Sequence, residues 1–327
     1  MVSLRRGNVS AVVERLEGLV RLEVDGRPCV AYPRLTGPIA LGDDVVVNVQ
    51  AVELGLGSGG FDVLYANLTR GLDLPPEPRA HVMKVPYTPL QHAVRHAEEE
   101  ADLPADLGGM PVVCCSLHSQ LAPVCAGLRE LRVAYVQLPG GALPVSLSDA
   151  VRALRQHGLL ELVVGVGPCF GGDVDCVNVY SALAVARARS MDVAVCGIGP
   201  GIVGTGSRLG HGGMAAAMAT NAAGELGGRP VLALRMSERD PRPRHLGVSH
   251  HSDAVLSLVS GSYAVAWPRG YATERAVPAG ADEVDVTGWQ EACEGLPLSH
   301  MGRGPDEDPL FFAAAFAAGR LASSLTA

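Results

Sequence analysis

The densest group of chemically active side chains in this sequence is the segment SERDPRPRHLGVSHHS, residues 237–252. Arg242 and Arg244 are suited to bind phosphate or carboxylate, because a guanidinium donates two parallel hydrogen bonds to such an anion. The candidate general acids and bases, or metal ligands, are His245, His250 and His251. Their spacing matches no zinc signature such as HEXXH. A solvated loop with internal salt bridges is the alternative interpretation.

A glycine-rich segment, GIGPGIVGTGSRLGHGG, spans residues 197–213. It follows an apolar stretch and precedes a run of small residues, an order typical of a strand, an anion-binding loop and a helix. The match to a dinucleotide fingerprint is weak because Pro200 removes a backbone N–H, and the lysine of a Walker A loop is missing. A tight turn without a ligand is the alternative. The candidate ligand-binding residues here are Gly199, Gly201, Gly204, Thr205, Gly206 and Ser207.

A third segment, GGDVDCVN at residues 171–178, predicts a site for a divalent cation. Asp173 and Asp175 stand two apart and Asn178 follows, and hard cations prefer carboxylate and amide oxygens as ligands. Helix N-capping, with favourable charge at the helix N-terminus, is the alternative. A divalent metal is the only cofactor that the sequence suggests, and its identity stays open.

Two further positions carry candidate site residues. The segment SLHSQ contains His118, a candidate general base. It also contains Ser119, a candidate ligand-binding hydroxyl that equally fits the N-cap of the next helix. Lys84, the single lysine of the chain, stands beside the stiff turn PYTP and is a candidate for binding an anionic ligand. A solvated surface charge is the alternative for this lysine.

These polar segments follow apolar stretches that alternate with helical patterns. Such alternation predicts a doubly wound, mostly parallel α/β sheet with right-handed crossovers. Because the carboxyl ends of parallel strands lie at one edge, we expect the polar segments to form a single pocket there. The expected strands are 111–116, 132–138, 160–166, 191–198 and 229–236, and the expected helices include 88–101 and 308–322.

The first part of the chain has a different pattern. Residues 8–70 contain short Val-rich stretches broken by Gly, Pro and Asp, which favour a small antiparallel, barrel-like β domain. The proline-rich segment 71–79 is typical of a linker. The sequence thus predicts a small β domain over residues 1–75 and an α/β domain with the candidate pocket over residues 80–327.

Composition disfavours several classes of partner. The formal net charge of −8 argues against nucleic acid and against an anionic membrane surface. No uncharged apolar run has the length of a membrane span. Eight cysteines without CxxC spacing, and a start without a signal-peptide pattern, predict reduced thiols and a cytoplasmic location. The expected partner is a small anionic ligand, and a homo-oligomer stays open.

Six segments together resemble the signature of an uncharacterised bacterial family: MKVPYTPLQ, SLHSQL, GGALPVSLSDAV, FGGDVDCVNVYSAL, GPGIVGTGSRLGHGG and RPRHLGVSHH. That family is a domain of unknown function found mostly in Gram-positive bacteria. The resemblance covers nearly the whole chain, including its amino-terminal β part. It implies that the segments belong together, and it implies no reaction and no catalytic residues.

The convergence of the polar segments favours an enzyme that binds a small phosphorylated or nucleotide-like ligand. Hydrolysis or group transfer, assisted by the metal, is the expected reaction. A noncatalytic ligand-sensing or partner-binding protein is the alternative, and a dinucleotide-dependent oxidoreductase is a weaker one. The metal-assisted mechanism fails if the structure separates the histidines from Asp173 and Gly201.

Overall fold

The computed structural model describes residues 2–56, 59–100, 102–271, 277–278 and 280–326. The chain divides into two compact units, Met1–Arg95 and His96–Ala327. The division thus falls after residue 95, and the proline-rich segment 71–79 belongs to the first unit.

The first unit is built on a closed five-stranded barrel in the order β1-β2-β3-β5-β4, which confirms the predicted barrel-like domain, although β3 and β5 pair in parallel and the other neighbours are antiparallel. Its strands are β1 (Leu4–Leu16), β2 (Leu19–Val24), β3 (Arg27–Ala31), β4 (Asp44–Asn48) and β5 (Asp62–Asn67). Two short helices, α1 (Pro33–Thr36) and α2 (Gln50–Glu53), lie between strands. Burial alternates along β4, where Val45 and Val47 point into the barrel core.

The prediction of a helix over residues 88–101 is wrong for residues 88–100, which are the part of this range that the structure describes. Instead, β6 (Val82–Lys84) pairs antiparallel with β7 (His92–Val94), and a 3-10 turn covers Ala97–Glu99. The apolar spacing of this stretch fits a helix, but strand pairing in the tertiary structure overrides that local preference.

The second unit contains an eight-stranded sheet in the order β11-β10-β9-β12-β8-β13-β16-β17, and each neighbouring pair is parallel. Its strands are β8 (Pro111–Cys115), β9 (Val133–Leu138), β10 (Leu162–Val166), β11 (Val174–Cys176), β12 (Val193–Ile198), β13 (Arg229–Ala233), β16 (Ala264–Pro268) and β17 (Asp282–Val284). A separate antiparallel ribbon joins β14 (Met236–Ser237) to β15 (Gly247–Val248). The five long apolar stretches of the sequence form β8, β9, β10, β12 and β13, because strands covered on both faces are apolar throughout.

Helices cover both faces of this sheet, which confirms the doubly wound α/β fold. They are α3 (Leu121–Ala126), α4 (Asp149–Gln156), α5 (Val179–Ala188), α6 (Ala215–Glu225), α7 (His250–Leu256), α8 (Trp289–Ala292) and α9 (Pro309–Ser324). One face packs against α5, α6 and α7, and the other packs against α3, α4, α8 and α9. Among the described residues, none of the helices combines the length and the apolar character needed to span a bilayer.

The carboxyl ends of β8, β12 and β13 lie where the chain changes faces. It leaves β8 toward α3 on one face and leaves the neighbouring β12 toward α6 on the other, so the topological switch point of the sheet lies between these two strands. The Gln120 Nε2 group donates to the carbonyls of Ala233 and Leu234 at 3.0 Å each, which ties the segment after β8 to the end of β13. A Cβ on Gly213 would lie 2.9 Å from the Ser116 carbonyl oxygen, so the segment after β12 runs directly against β8.

Candidate functional site

Four histidines form a compact cluster at this carboxyl edge. His245, His250 and His251 each offer a ring nitrogen, and these nitrogens lie within 4.8 Å of one another. The ring of His211 stacks on that of His251, with centroids 3.6 Å apart and planes 10° from parallel. The sequence pointed to the first three histidines but missed His211, the last polar residue of the glycine-rich segment.

The start of helix α7 positions this cluster. The Ser249 hydroxyl is the N-cap and accepts the backbone N–H of His251 at 3.2 Å, while it lies 2.7 Å from His245 Nδ1. The backbone N–H of Ser249 donates to the Arg235 carbonyl at 2.9 Å, and the Arg235 N–H donates to the Ser252 hydroxyl at 2.8 Å. The first turn of α7 is therefore fixed to the chain that leaves β13.

A buried ion-pair group lies against the histidines. Arg235 is 3% exposed, and its Nη1 lies 3.1 Å from His251 Nδ1 while Nη2 lies 3.3 Å from Asp240 Oδ2. Arg242 donates two hydrogen bonds of 2.8 Å to the same carboxylate. Burial alone would raise the pKa of Asp240, but the hydrogen bonds from Arg242 outweigh it and hold that pKa well below its usual range. Asp240 is therefore a charged anchor for two guanidinium groups.

The ion-pair group, in which Arg235 and the carboxylates are buried and Arg242 and Arg303 are partly exposed, contains more positive than negative charge. Arg303 lies 3.5 Å from Asp240 and 3.3 Å from Asp308, so three guanidinium groups share two carboxylates and one positive charge is left over. Arg235 Nε and Arg303 Nη2 are buried and have no hydrogen-bond partner among the described residues. Because a buried donor or charge without a partner is costly, this arrangement favours an anionic ligand.

The four clustered histidines are neutral. Burial is the main cause that lowers the pKa of His245 to about 3, and the charge on Arg235 adds to it. Burial likewise lowers the pKa of His251 to about 2, with further contributions from His211 and Arg235. The pKa values of His211 and His250 are also lowered, again mainly by burial. At physiological pH these imidazoles are uncharged and are weak general bases.

His118 is held on both sides of its ring. Nδ1 lies 3.1 Å from the Ile198 carbonyl oxygen and Nε2 lies 2.8 Å from the Ser148 hydroxyl. A carbonyl only accepts, so Nδ1 carries the proton and Ser148 donates to Nε2. Burial lowers the pKa of His118 to about 4. The lone pair on His118 Nε2 therefore accepts the hydrogen bond from Ser148. A general base needs a nitrogen that is free to accept a proton, and His118 does not have one in this structure.

Ser119 contacts His300, a histidine that was not among the candidate residues of the sequence analysis. Its hydroxyl lies 3.2 Å from His300 Nδ1 and does not cap α3. The buried His300 ring stacks on Phe311 at 3.8 Å, and its Nε2 has no hydrogen-bond partner in the described part of the chain. Burial lowers the pKa of His300 to about 3, and the charges on Arg235 and Arg303 contribute, so this ring lies beside the ion-pair group.

The glycines of segment 197–213 allow close backbone packing. A Cβ on Gly199 would lie 2.1 Å from the Ala142 carbonyl oxygen, and one on Gly212 would lie 2.0 Å from that of Gly140. Gly201 has a φ of +71°, which favours glycine. Close packing against the segment after β9 therefore accounts for most of this pattern.

The polar residues of the same segment bond to each other. Thr205 and Ser207 hydroxyls are 2.8 Å apart, and the Thr205 N–H donates to the Gly210 carbonyl at 2.7 Å. Gly204 forms a β-bridge with His211, and around Gly206 there is open space. The described loop thus closes on itself, and its contribution to the cluster is the His211 ring.

The aspartate segment, residues 171–178, does not lie at the histidine cluster. The predicted site that combined its aspartates with the histidines is therefore wrong. The Asp173 carboxylate accepts the Val163 N–H at 2.8 Å and pairs with Arg155. Val163 is near the amino end of β10, so Asp173 lies at the opposite edge of the sheet from the histidines. β11 is also five strands away from β13, about 24 Å at the usual strand spacing. Asp173 therefore cannot share a metal ion with His250 or His251, and the predicted metal-assisted mechanism does not fit this structure.

The other residues of the aspartate segment have local contacts. Asp175 is a buried residue within β11. Asn178 is the N-cap of α5, and its side chain accepts the Ser181 N–H at 3.1 Å. For Asn178 this agrees with helix N-capping, the alternative to a cation ligand. The predicted loop is a short strand followed directly by a helix, so its oxygens do not face a common point with the histidine cluster.

The two remaining candidates differ in exposure. Lys84 belongs to β6 of the first unit and is 1% exposed, so it is not the solvated surface charge that was the alternative. Arg244 is exposed. The pKa of His250 is lowered first by the burial of the imidazole and second by the charge on Arg244, so Arg244 lies beside the histidine cluster.

The fold and the site define a class of protein: a doubly wound α/β unit with a β-barrel unit before it in the chain, and a buried histidine–arginine site at the carboxyl edge of the sheet. Residues 28–319 match the family of proteins of unknown function DUF3866, and the chain belongs to that family. This match agrees with the resemblance of the six sequence segments. No curated protein matches the chain.

Proposed function

We propose that this protein is an enzyme that binds a small phosphorylated metabolite at the carboxyl edge of its sheet and catalyses hydrolysis or group transfer. The observation that carries the proposal is the buried Arg235 side chain, which contacts the histidine cluster and keeps an N–H donor without a partner. A buried guanidinium with an open donor is suited to an oxyanion.

The surroundings of Arg235 support an anion rather than a neutral ligand. The ion-pair group has one surplus positive charge, and Arg303 Nη2, which lies 3.5 Å from Asp240 Oδ2, makes no hydrogen bond to the described residues. Because Ser119 can donate to His300 Nδ1, the neutral ring of His300 presents an N–H at Nε2. These fixed donors would stabilise negative charge without reorganising.

Phosphoryl transfer suits this arrangement because it depends mostly on positioning and charge stabilisation. In hydrolysis of a phosphate ester or anhydride, the water oxygen forms a bond to phosphorus as the bond from phosphorus to the leaving oxygen breaks. The proton lost by water passes to the leaving oxygen. The contribution of Arg235 and Arg303 is to stabilise the charge on the transferring group.

One observation favours the noncatalytic ligand sensor as the second candidate. The pKa values of all six histidines at this edge, which include His118 and His300, are lowered, mainly by burial. General acid–base catalysis works best with a group whose pKa is near the working pH. A sensor needs the anion donors alone. The weaker alternative, a dinucleotide-dependent oxidoreductase, stays a prediction.

The test compares wild type with Arg235→Met, which keeps the side-chain length and removes the charge. Inorganic phosphate, pyrophosphate and nucleoside phosphates are titrated by calorimetry, with the exposed Arg189→Met as the matched control. We expect one of these anions to bind wild type and the control equally, and to bind Arg235→Met about tenfold or more weakly. Absence of anion binding to folded wild type would contradict the proposal.

Turnover separates the enzyme from the sensor. The proteins are incubated with a panel of phosphate esters and anhydrides, and released phosphate is measured. Release by wild type and by Arg189→Met, with strong loss in Arg235→Met, supports the enzyme. Binding without release from any of these compounds favours the sensor.

A further inference from the structure

We infer that His245, His250 and His251 form a binding site for a divalent transition metal of the zinc class. Three imidazole ligands with an open fourth position are an established arrangement for zinc. Ligand nitrogens around tetrahedral zinc lie about 3.3 Å apart, and those of the three histidines lie within 4.8 Å of one another. Side-chain adjustments of about 1 Å would therefore close the site.

His245 already has the kind of outer-shell partner that zinc ligands have. Its Nδ1 lies 2.7 Å from the Ser249 hydroxyl, so its Nε2 is the nitrogen left for a metal. Metal-bound histidines usually donate their other N–H to an acceptor, which fixes the ring and raises its basicity. Ser249 is itself held as the N-cap of α7.

His250, a member of the cluster, has a ring nitrogen without a hydrogen-bond partner among the described residues. This nitrogen, Nε2, is buried. The ring centroid of His250 lies 4.8 Å from that of His245 and 4.5 Å from that of His251. A buried polar atom without a partner needs an explanation, and a shared metal ion supplies one.

Arg235 competes with a metal for the third ligand. A guanidinium only donates, so Arg235 Nη1, at 3.1 Å, occupies the lone pair of His251 Nδ1, and the neutral ring then carries its proton on Nε2. Binding a metal through Nε2 displaces that proton to Nδ1 and breaks the hydrogen bond to Arg235. Removing Arg235 should therefore strengthen metal binding. An anion that draws Arg235 away should do the same, and this coupling rests on the proposed function.

The ligand set also selects the metal. Imidazole suits zinc, cobalt, nickel and copper, whereas magnesium and calcium prefer oxygen ligands. Zn²⁺ is therefore expected to bind and Mg²⁺ is not.

The test titrates the full-length protein with Co²⁺, whose visible absorption reports tetrahedral nitrogen ligation, and then displaces it with Zn²⁺. We expect one Co²⁺ per chain, displaced by Zn²⁺ and unaffected by excess Mg²⁺. His245→Ala and His250→Ala should each lower Co²⁺ affinity about 100-fold, because each removes a ligand. His157→Ala, which removes an exposed histidine outside the cluster, should bind Co²⁺ as wild type does.

If a histidine variant fails to fold, Arg235→Met provides a second test of the metal site, because it leaves all three histidine ligands in place. It should bind Co²⁺ more tightly than wild type, while it binds phosphate compounds more weakly. Absence of Co²⁺ binding to folded wild type, or equal affinity in wild type, His245→Ala and His250→Ala, would overturn the inference. Metal binding without anion binding contradicts only the proposed function, and anion binding without metal binding contradicts only this inference.

Discussion

The aspartate segment, residues 171–178, and the histidine segment, residues 237–252, are both polar segments that follow a buried strand, yet they lie at opposite edges of the sheet. After β13 the chain stays at the carboxyl edge, where Asp240 and His245 join one buried group. After β10 the chain returns along the strand and adds β11, which carries Asp173 to the amino edge. The position of a polar segment after a strand therefore does not determine the edge at which its side chains act.

Glycines explain the return of the chain after β10. A Cβ on Gly172 would lie 2.6 Å from the Val163 carbonyl oxygen, and one on Gly165 would lie 2.5 Å from Asp175 Oδ1. Such close approach is open only to glycine. Gly165 and Gly172 therefore allow β11 to pack directly against β10.

The largest expected difference between the two segments is in stability. Asp240→Asn removes a buried carboxylate and leaves the guanidinium groups of Arg235, Arg242 and Arg303, of which Arg235 is buried, with a single carboxylate; breaking a buried ion pair typically costs about 3–5 kcal/mol. Asp173→Asn weakens a half-exposed pair, so about 1 kcal/mol or less is expected. Urea unfolding of both variants measures the free energies of unfolding. Equal losses would mean that the two carboxylates have equivalent environments.

The pKa values of His118 and of the clustered histidines are all lowered, so the contribution of His118 to stability is isolated by comparing wild type with His118→Gln across pH. The folded-state pKa of His118 is about 4 against an ordinary value of 6.5, so its neutral form is favoured by folding. This contribution is present above pH 6.5 and is lost as pH falls toward 4, and it amounts to roughly 3 kcal/mol. The difference in free energy of unfolding between wild type and His118→Gln should therefore change across this range. A difference independent of pH would show that His118 is not held in its neutral form.

The glycine-rich segment offers a comparison within one loop. Gly199→Ala would place a Cβ 2.1 Å from the Ala142 carbonyl oxygen, which is expected to cost about 1–3 kcal/mol. Gly206→Ala meets no atom within 4 Å, so its effect on stability should be within about 0.5 kcal/mol. Thermal unfolding of the two variants measures the contrast. A similar effect of both would contradict the packing role of Gly199.

The sequence predicted the parts of the fold in which local pattern and burial agree. Five strands of the sheet and the terminal helix α9 are long apolar stretches, and covering both faces of a sheet requires such stretches. β11 and β17 were not predicted, because three-residue edge strands with acidic residues carry no apolar pattern. The helix over 88–101 was wrong because pairing between β6 and β7 overrides a weak helical pattern.

The site was predicted only where its residues are close in sequence. His245, His250 and His251 lie within one segment and were identified from their density. His211 and His300 are single histidines in separate segments, and only the tertiary structure stacks His211 on His251. The role of Arg235 was also missed, since one arginine after an apolar strand carries no visible signal of burial.

The smallest expected difference involves two N-cap residues, one in each segment. Asn178 caps α5 and Ser249 caps α7, so replacing either with Ala should cost about 1 kcal/mol. Ser249 also contacts His245 Nδ1, and loss of such an outer-shell partner typically weakens a metal site about tenfold or more. Co²⁺ titration of both variants is the measurement. Weakened binding in Asn178→Ala would assign the aspartate segment to the metal site after all, whereas loss confined to Ser249→Ala would restrict the site to the histidine segment.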